Sequence, residues 1–282
     1  MSPFIGIILP TYNRKELLNR AIDSILMQTY KTWFICIVDD GSKDGTVEFL
    51  HKYLDHPKIH FIAQKSNQGV NAARNAALQY LMVQQQCDFV TLLDDDDYFN
   101  PNTLEVACNI ITQNPNEKWF VSRKVSENGK SITHIKTFGS VAYINYYLGI
   151  TMDHDATHII STSLIKDIRF SKEFKQAEEW VFFMKLAKNS TMFTYDFPST
   201  VCSYLEDGLS AQVQQKSSNN NHTQNVNTLK EKYLEDLGYK KATTEMLKLT
   251  YRINRTIQSK KYYKLFRYVP RYIYWKLKDL LT

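Results

Sequence analysis

The sequence predicts an α/β fold in which an open, mostly parallel sheet is covered by helices, and three observations support this prediction. Through residues 1–122, short apolar runs typical of strands alternate with segments whose apolar residues recur at helical spacing. The strand-like runs are continuously apolar, as is usual for parallel strands that are buried on both faces. With 282 residues, 43% of them hydrophobic, the chain is also long enough to bury a sizeable core.

The predicted elements follow one another in the order strand, helix, strand. Residues 5–9 form the first apolar run, and residues 17–26 carry apolar side chains at the spacing of a helix. Residues 34–38 form the second apolar run. The alternation continues through residues 47–54, the short run 60–63, an alanine-rich helical stretch at 72–83 and the apolar run 89–93. Beyond residue 122 the pattern is less regular, and a helical segment is predicted at residues 177–188.

Polar residues follow three of the predicted strands. Residues 10–14 (Pro-Thr-Tyr-Asn-Arg) follow the first strand, Asp39 and Asp40 follow the second, and residues 94–97 form a run of four aspartates after the fourth. In open α/β sheets, ligands bind beyond the carboxyl ends of the strands. We therefore expect two acidic clusters and a polar loop to meet at one edge of the sheet.

The aspartate run predicts a metal site. Neighbouring carboxylates repel one another, and a bound divalent cation removes that cost. Mg2+ and Mn2+ prefer oxygen ligands and often bridge protein carboxylates to a substrate's diphosphate. A solvated acidic turn before the next helix is the alternative. Because the glycines of a dinucleotide fingerprint or a P-loop are missing after the first strand, phosphate charge is left to a metal and to basic side chains.

Three other features are open to two interpretations each. Asp39 and Asp40 could accept hydrogen bonds from a base or ribose, or could belong to an ordinary turn. Arg74, near the start of the alanine-rich helix, could pair with a carboxylate or diphosphate, or lie on the surface. Glu178 and Glu179 open a predicted helix, where acids are favoured by the helix dipole or could include a general base.

Taken in order, these motifs resemble the family 2 glycosyltransferases over about residues 4–205. The segments that carry the resemblance are 8–13 (Ile-Leu-Pro-Thr-Tyr-Asn), 24–30, 38–45 (Val-Asp-Asp-Gly-Ser-Lys-Asp-Gly), 67–69, 73–75, 93–97 with Pro101, and 178–180 (Glu-Glu-Trp). The resemblance implies a GT-A fold and inverting transfer of a sugar from a nucleotide-sugar donor, most commonly a UDP-sugar. It further implies Mn2+ or Mg2+ as cofactor, and a saccharide or lipid-linked acceptor in bacterial cell-surface polysaccharide synthesis.

The resemblance also implies roles for individual residues. Those expected to bind the nucleotide-sugar are Pro10, Thr11, Tyr12, Arg14, Asp40, Arg74, Asp94 and Asp95. Asp96 would ligate the metal. Because residues 94–97 are all aspartate, this assignment could shift by one position. Glu179 would be the general base, at a position where the family usually has aspartate, and Glu178 is a second candidate. A noncatalytic sugar-nucleotide binding protein and a nucleotidyltransferase remain as alternative functions.

The sequence predicts three regions. Residues 1–210 are expected to form the catalytic domain, with a nucleotide-binding half at 1–122 and an acceptor-binding half at 123–210. The tract around residues 212–227 is rich in Gln, Ser and Asn and predicts a linker at 211–228, followed by a helical extension at 229–282. The four cysteines stand singly, without zinc-ligand spacing, and are expected to be reduced core thiols.

The positive charge is concentrated at the C-terminal end. The chain has a net charge of +6, whereas residues 251–282 alone hold nine Lys or Arg and one Asp, a local charge of +8, interleaved with Tyr, Phe and Trp. This pattern predicts binding to an anionic membrane surface; a helix packed on the catalytic domain is the alternative. Since no signal peptide or spanning segment is found, the expected location is cytoplasmic, at the inner face of the cytoplasmic membrane. Nucleic-acid binding is not expected, because no recognition module accompanies the charge.

Overall fold

The computed structural model describes residues 2–147, 150–171, 179–203, 232–236, 238 and 249. Glu178, the predicted linker at 211–228 and most of the predicted extension at 229–282 lie outside the described residues. The strands are β1 (Ile5–Thr11), β2 (Trp33–Asp39), β3 (Ile59–Ala63), β4 (Phe89–Leu92), β5 (Tyr98–Phe99), β6 (Trp119–Ser126), β7 (His134–Ile135), β8 (Gly139–Val141), β9 (Met152–Asp153), β10 (Ala156–Ser161) and β11 (Met192–Cys202). The helices are α1 (Lys15–Leu26), α2 (Thr46–Leu50), α3 (Val70–Val83), α4 (Thr103–Gln113), α5 (Tyr143–Tyr147) and α6 (Trp180–Leu186), with a 3-10 turn at His51–Tyr53.

The first half of the sheet is parallel, as predicted. Its strands lie in the order β3-β2-β1-β4, and all three pairings are parallel. Every residue of β1 and β2 is buried, because helices cover both faces. The α1 helix packs with Ile5, Ile7 and Leu9 of β1, and α3 packs on the opposite face, which includes Ile8. The continuously apolar runs in the sequence arise from this double burial.

The second half continues the same sheet with antiparallel strands. The β10 strand pairs antiparallel with β4 and with β6, and β11 lies parallel to β6. Short strands β5 and β8 pair antiparallel with β11, and β7 and β9 form a separate two-stranded sheet. The predicted division at residue 122 falls inside β6, so the two halves share a continuous sheet.

The predicted cysteine chemistry agrees with the structure. Cys36, Cys87, Cys108 and Cys202 are all buried and free. Burial raises the pKa of Cys36 and of Cys87 to about 12, so both thiols are protonated at neutral pH. They act as small apolar core residues. None of the helices within the described part of the chain is long and apolar enough to cross a bilayer.

Candidate active site

Three loops at the carboxyl edge of the parallel strands are joined by side-chain hydrogen bonds. Asn13 has a left-handed backbone with φ 53°; its N–H donates to Ser42 Oγ at 2.8 Å, and its Oδ1 accepts the Lys43 N–H at 2.8 Å. The Thr11 hydroxyl donates to Asp95 Oδ2 at 2.7 Å. The loops after β1, β2 and β4 therefore form one connected surface, as the sequence predicts.

The loop after β1 presents an aromatic ring at this edge. Pro10 and Thr11 are the last residues of β1 and are buried, whereas Tyr12 is 41% exposed. An exposed ring beside a polar edge is available to stack on a planar base. Tyr12 therefore has the surroundings expected of a nucleotide contact.

The two acids after β2 have different surroundings. The Asp40 carboxylate accepts the backbone N–H groups of Gln68 and Gly69, both at 2.8 Å. Asp39 Oδ2 accepts two N–H groups of the turn that follows it, at 3.1 and 3.0 Å. Asp39 Oδ1, in contrast, is buried and has no hydrogen-bond partner among the described residues. Asp40 thus fixes the loop before α3, and Asp39 fixes the turn after β2 while its Oδ1 stays unpaired among the described residues.

A glycine allows these two loops to approach each other. Gly41 has φ 80°, in the region that favours glycine, and a Cβ at this position would lie 2.8 Å from the main chain of Ser66. Any side chain at position 41 would separate the loop after β2 from the loop after β3. Backbone geometry therefore favours glycine at position 41, directly after the Asp40 carboxylate.

Arg14 lies against the aspartate run. Its Nη1 is 2.6 Å from Asp96 Oδ2 and 3.3 Å from Asp95 Oδ1. Burial raises the pKa of Asp95 to about 7 and that of Asp97 to about 6, and the adjacent carboxylates act in the same direction against the nearby cations. Burial and the adjacent carboxylates therefore disfavour the ionised forms of Asp95 and Asp97, and a bound cation would favour them.

The donor set at this edge fits a divalent cation shared with a substrate. Asp96 offers a carboxylate with 22% of its side chain exposed. Within the ranges that the structure describes, no group of three or more His, Cys, Asp or Glu side chains could hold a metal by itself. Mg2+ is commonly held by one or two protein carboxylates together with substrate phosphates, and such binding needs no larger protein cluster. Binding would replace the contact between Asp96 and Arg14.

Arg74 links the aspartate run to the candidate base. Its side chain is 3% exposed, with Nη2 at 2.8 Å from Asp94 Oδ1 and Nη1 at 2.6 Å from Glu179 Oε1. The sequence left open whether Arg74 pairs with a carboxylate or lies on the surface. The structure shows a buried arginine whose two terminal nitrogens each contact a carboxylate. The contact with Asp94 is a hydrogen bond and that with Glu179 an ion pair, and both hold the acids beside the arginine.

Aromatic and amide contacts hold this arginine and the start of α6. The side chain of Asn75 accepts the Phe170 N–H at 2.9 Å and donates to the Phe170 carbonyl at 3.0 Å. The Phe170 ring lies 5.6 Å from the Arg74 guanidinium and stacks on Phe182 of α6 at 4.0 Å. Because α6 begins directly after Glu179, this packing orients the candidate base.

The charge on Glu179 is set by opposing effects. The Arg74 guanidinium favours the ionised form, but burial and the carboxylates of Asp155 and Asp94 outweigh it and hold the pKa of Glu179 above its ordinary value. A raised pKa brings a carboxylate closer to what a general base needs near neutral pH. Glu178, the second candidate, lies outside the described residues.

One charged group of the site was missed by the sequence analysis. Lys124 of β6 has only 12% of its side chain exposed, and its Nζ lies 2.6 Å from Asp155 Oδ2 and 3.4 Å from Asp97 Oδ2. The sequence shows an Asp- and His-rich segment at residues 153–158 but no motif that joins it to Lys124. On β6, Lys124 shares a face with Phe120, Ser122 and Ser126, so the alternation of this strand gave no signal that singles Lys124 out.

Comparison with known proteins gives a consistent result. A family model described as glycosyl transferase family 2 matches residues 6–169. An uncharacterized glycosyltransferase of Haemophilus influenzae is 29% identical over 204 residues, which cover 71% of this chain and 79% of that protein. The poly(ribitol-phosphate) beta-N-acetylglucosaminyltransferase TarS of Staphylococcus aureus is 31% identical over 193 residues, 66% of this chain but 32% of TarS. The chain thus spans about a third of TarS.

A solved structure shares the fold. The crystal structure of S. aureus TarS 1-349 in complex with UDP-GlcNAc superposes with a TM-score of 0.70 at 22% identity and covers 96% of this chain and 79% of that one. This likeness confirms the predicted GT-A fold.

Proposed function

Because the chain belongs to glycosyl transferase family 2, we propose that it is an inverting, metal-dependent enzyme that moves a sugar from a UDP-sugar to a hydroxyl of a saccharide or lipid-linked acceptor. TarS, whose name describes N-acetylglucosamine transfer to poly(ribitol-phosphate) and whose structure contains UDP-GlcNAc, supports a UDP-sugar donor and a polymeric acceptor. The proposed role is in cell-surface polysaccharide synthesis. The observation that carries the proposal is Arg74, which joins the aspartate run to Glu179 across the site.

The donor would bind along the loops after β1, β2 and β4. Tyr12 would stack on the base, and Thr11 and Pro10 would shape the wall beside it. Asp40, whose two carboxylate oxygens each accept one N–H and keep further acceptor capacity, would accept a hydrogen bond from the nucleotide, and the unpaired Oδ1 makes Asp39 a second candidate. Asp94 and Asp95 would face the ribose and diphosphate, with Arg14 and Arg74 supplying positive charge.

Asp96 would hold Mn2+ or Mg2+ together with the diphosphate. The cation, when bound, supplies positive charge that stabilises the departing nucleoside diphosphate. The residues of the chain contribute the positioning, because Thr11 and Arg14 fix the aspartate run from one side and Arg74 from the other.

Glu179 would remove the proton from the acceptor hydroxyl. The acceptor oxygen then forms a bond to the anomeric carbon while the bond from that carbon to the diphosphate breaks on the opposite face, which inverts the configuration. Arg74 fixes the orientation of the Glu179 carboxylate during this step. A positioned base of this kind contributes about 10²- to 10⁴-fold to the rate.

A panel of sugar nucleotides tests the function. We expect metal-dependent release of nucleoside diphosphate from one donor, strongest among the UDP-sugars, and its loss with EDTA and in Asp96→Ala. The matched control is Asp23→Ala, which removes an aspartate of α1 outside the described site. Donor binding without turnover would instead indicate a noncatalytic binding protein, and release of pyrophosphate would indicate a nucleotidyltransferase.

We also propose that residues 251–282 attach the enzyme to an anionic membrane surface, because they carry the local charge of +8 with interleaved aromatic residues. Removal of these residues is expected to abolish cosedimentation with vesicles that contain phosphatidylglycerol, and to leave turnover of a soluble donor within about twofold. Vesicles of phosphatidylcholine alone are the control for charge. If the truncated chain sediments as well as the full chain, the tail packs elsewhere.

A further inference from the structure

The buried cation Lys124 lies between two parts of the site. On one side it contacts Asp97, the last residue of the aspartate run, and on the other it contacts Asp155. Burial opposes a charge at Lys124, but the carboxylates of Asp155, Asp97 and Asp94 raise its pKa well above the ordinary value, so the amine is charged. A charged lysine is rarely buried without such partners.

The strand next to β6 is irregular at this position. Between Val121 and Lys124, β6 advances three residues, whereas β11 advances six, from Thr194 to Thr200, with a register shift on each side of Pro198. Bulges of this kind redirect side chains and are over-represented next to active sites. The neighbouring Arg123 forms an ion pair with Asp196, whereas Lys124 pairs with Asp155.

The main chains of the pair are also fixed to each other. The Lys124 N–H donates to Thr133 Oγ1 at 2.9 Å, and the Thr133 hydroxyl donates to the Asp155 carbonyl. Asp155 Oδ1 accepts the N–H of Ala156 at 2.8 Å. Side-chain and main-chain contacts together therefore hold the Asp155 carboxylate in one place, although 52% of this side chain is exposed.

Lys124 contacts the aspartate run, where the donor's diphosphate would bind, and holds Asp155 on its other side. In the proposed reaction the anomeric carbon stands between the diphosphate at the aspartate run and the base at Glu179. Lys124 contacts the run directly, and both Lys124 and Asp155 influence the charge of Glu179. An exposed, fixed carboxylate beside the aspartate run has free acceptor capacity for hydroxyl groups.

We propose that Asp155 is a specificity-determining residue that accepts a hydrogen bond from a hydroxyl of the donor sugar, and that Lys124 is the positioning residue that holds it there. This inference rests on the proposed function. Of the pair, only Asp155 has a largely exposed side chain. Asp155 can therefore contact the sugar, whereas the buried Lys124 contacts Asp155. Neither residue belongs to the motifs by which the family is recognised.

The affinity difference between a sugar nucleotide and its nucleoside diphosphate tests the assignment. A hydrogen bond to a charged group is worth about 1.5–3 kcal/mol, which corresponds to about 10- to 100-fold in affinity. In Asp155→Ala, we expect the Kd of the donor that the wild type turns over fastest to rise by that factor. The Kd of the free nucleoside diphosphate should stay within about twofold, and so should both values in the matched control Asp196→Asn.

Lys124 is tested by a pair of variants. Lys124→Met should lose the same sugar-dependent part of the affinity, and Lys124→Arg should restore most of it, because an arginine can still pair with Asp155. Thermal unfolding of each variant separates this effect from misfolding; if Lys124→Met does not fold, Asp155→Ala decides alone. An unchanged donor Kd in Asp155→Ala, or an equal loss for the donor and the nucleoside diphosphate, overturns the inference. If the wild type turns over no sugar nucleotide, the proposed function fails first.

Discussion

Glu179→Gln is expected to lower kcat by about 10²- to 10⁴-fold while the Kd of the donor changes by less than about threefold. The substitution keeps the shape of the side chain and a contact to Arg74, but it removes the carboxylate that takes the acceptor proton. Single-turnover assays with the best donor of the panel, together with donor titration, measure the two quantities separately. A variant that keeps more than about a tenth of the wild-type kcat would contradict the assignment of Glu179 as base.

Glu179→Asp is the matched control for this prediction. It restores the residue that the family usually has at this position, one methylene shorter, and should keep a substantial fraction of activity. The pH profile gives a second check: because the pKa of Glu179 lies above the ordinary glutamate value, activity should fall as pH drops through that raised pKa. An activity independent of pH from 5 to 8 would mean that another group takes the proton.

The parallel half of the fold could be predicted from local patterns alone. The apolar runs at β1, β2 and β4 are continuous because each strand is covered on both faces, and that burial leaves a direct record in the sequence. The antiparallel strands β6, β10 and β11 left a weaker record. Their pairing depends on contacts between distant segments, and β11 carries irregularities that break any simple alternation.

The site was predictable where its residues follow strands. Asp39, Asp40 and the aspartate run stand at strand ends, and strand ends of a parallel sheet meet in space. The pairing of Arg74 with Glu179 was not predictable, because it depends on how α6 packs against Phe170. Nor could the sequence show that Asp40 accepts backbone N–H groups of the loop before α3, while one oxygen of Asp39 has no partner among the described residues.

Arg74→Met is expected to lower the free energy of unfolding by about 1–3 kcal/mol, since it removes a buried cation from two partly exposed carboxylates. Arg74 is 3% exposed and holds both Asp94 and Glu179, so the loss reaches both sides of the site. Urea unfolding at pH 7 measures the change. Arg123→Met is the control, because this arginine pairs with the more exposed Asp196 and should cost less.

The loss of unfolding free energy in Arg74→Met, called the deficit here, should depend on pH, and this dependence identifies the interaction that was lost. In the wild type, burial raises the pKa of Asp94, but Arg74 and Lys124 outweigh burial and hold that pKa below its ordinary value. This contribution to stability is present above the ordinary aspartate pKa and is lost as pH falls through the lowered one. Without Arg74 the Asp94 carboxyl group is expected to protonate at a higher pH than in the wild type. The deficit should therefore shrink as pH falls from the pKa of the variant to the lowered wild-type pKa, because a protonated carboxyl group needs no cation. The double variant with Glu179→Gln should recover part of the stability for the same reason, whereas a deficit that is independent of pH and of Glu179 would reflect lost packing of the arginine side chain.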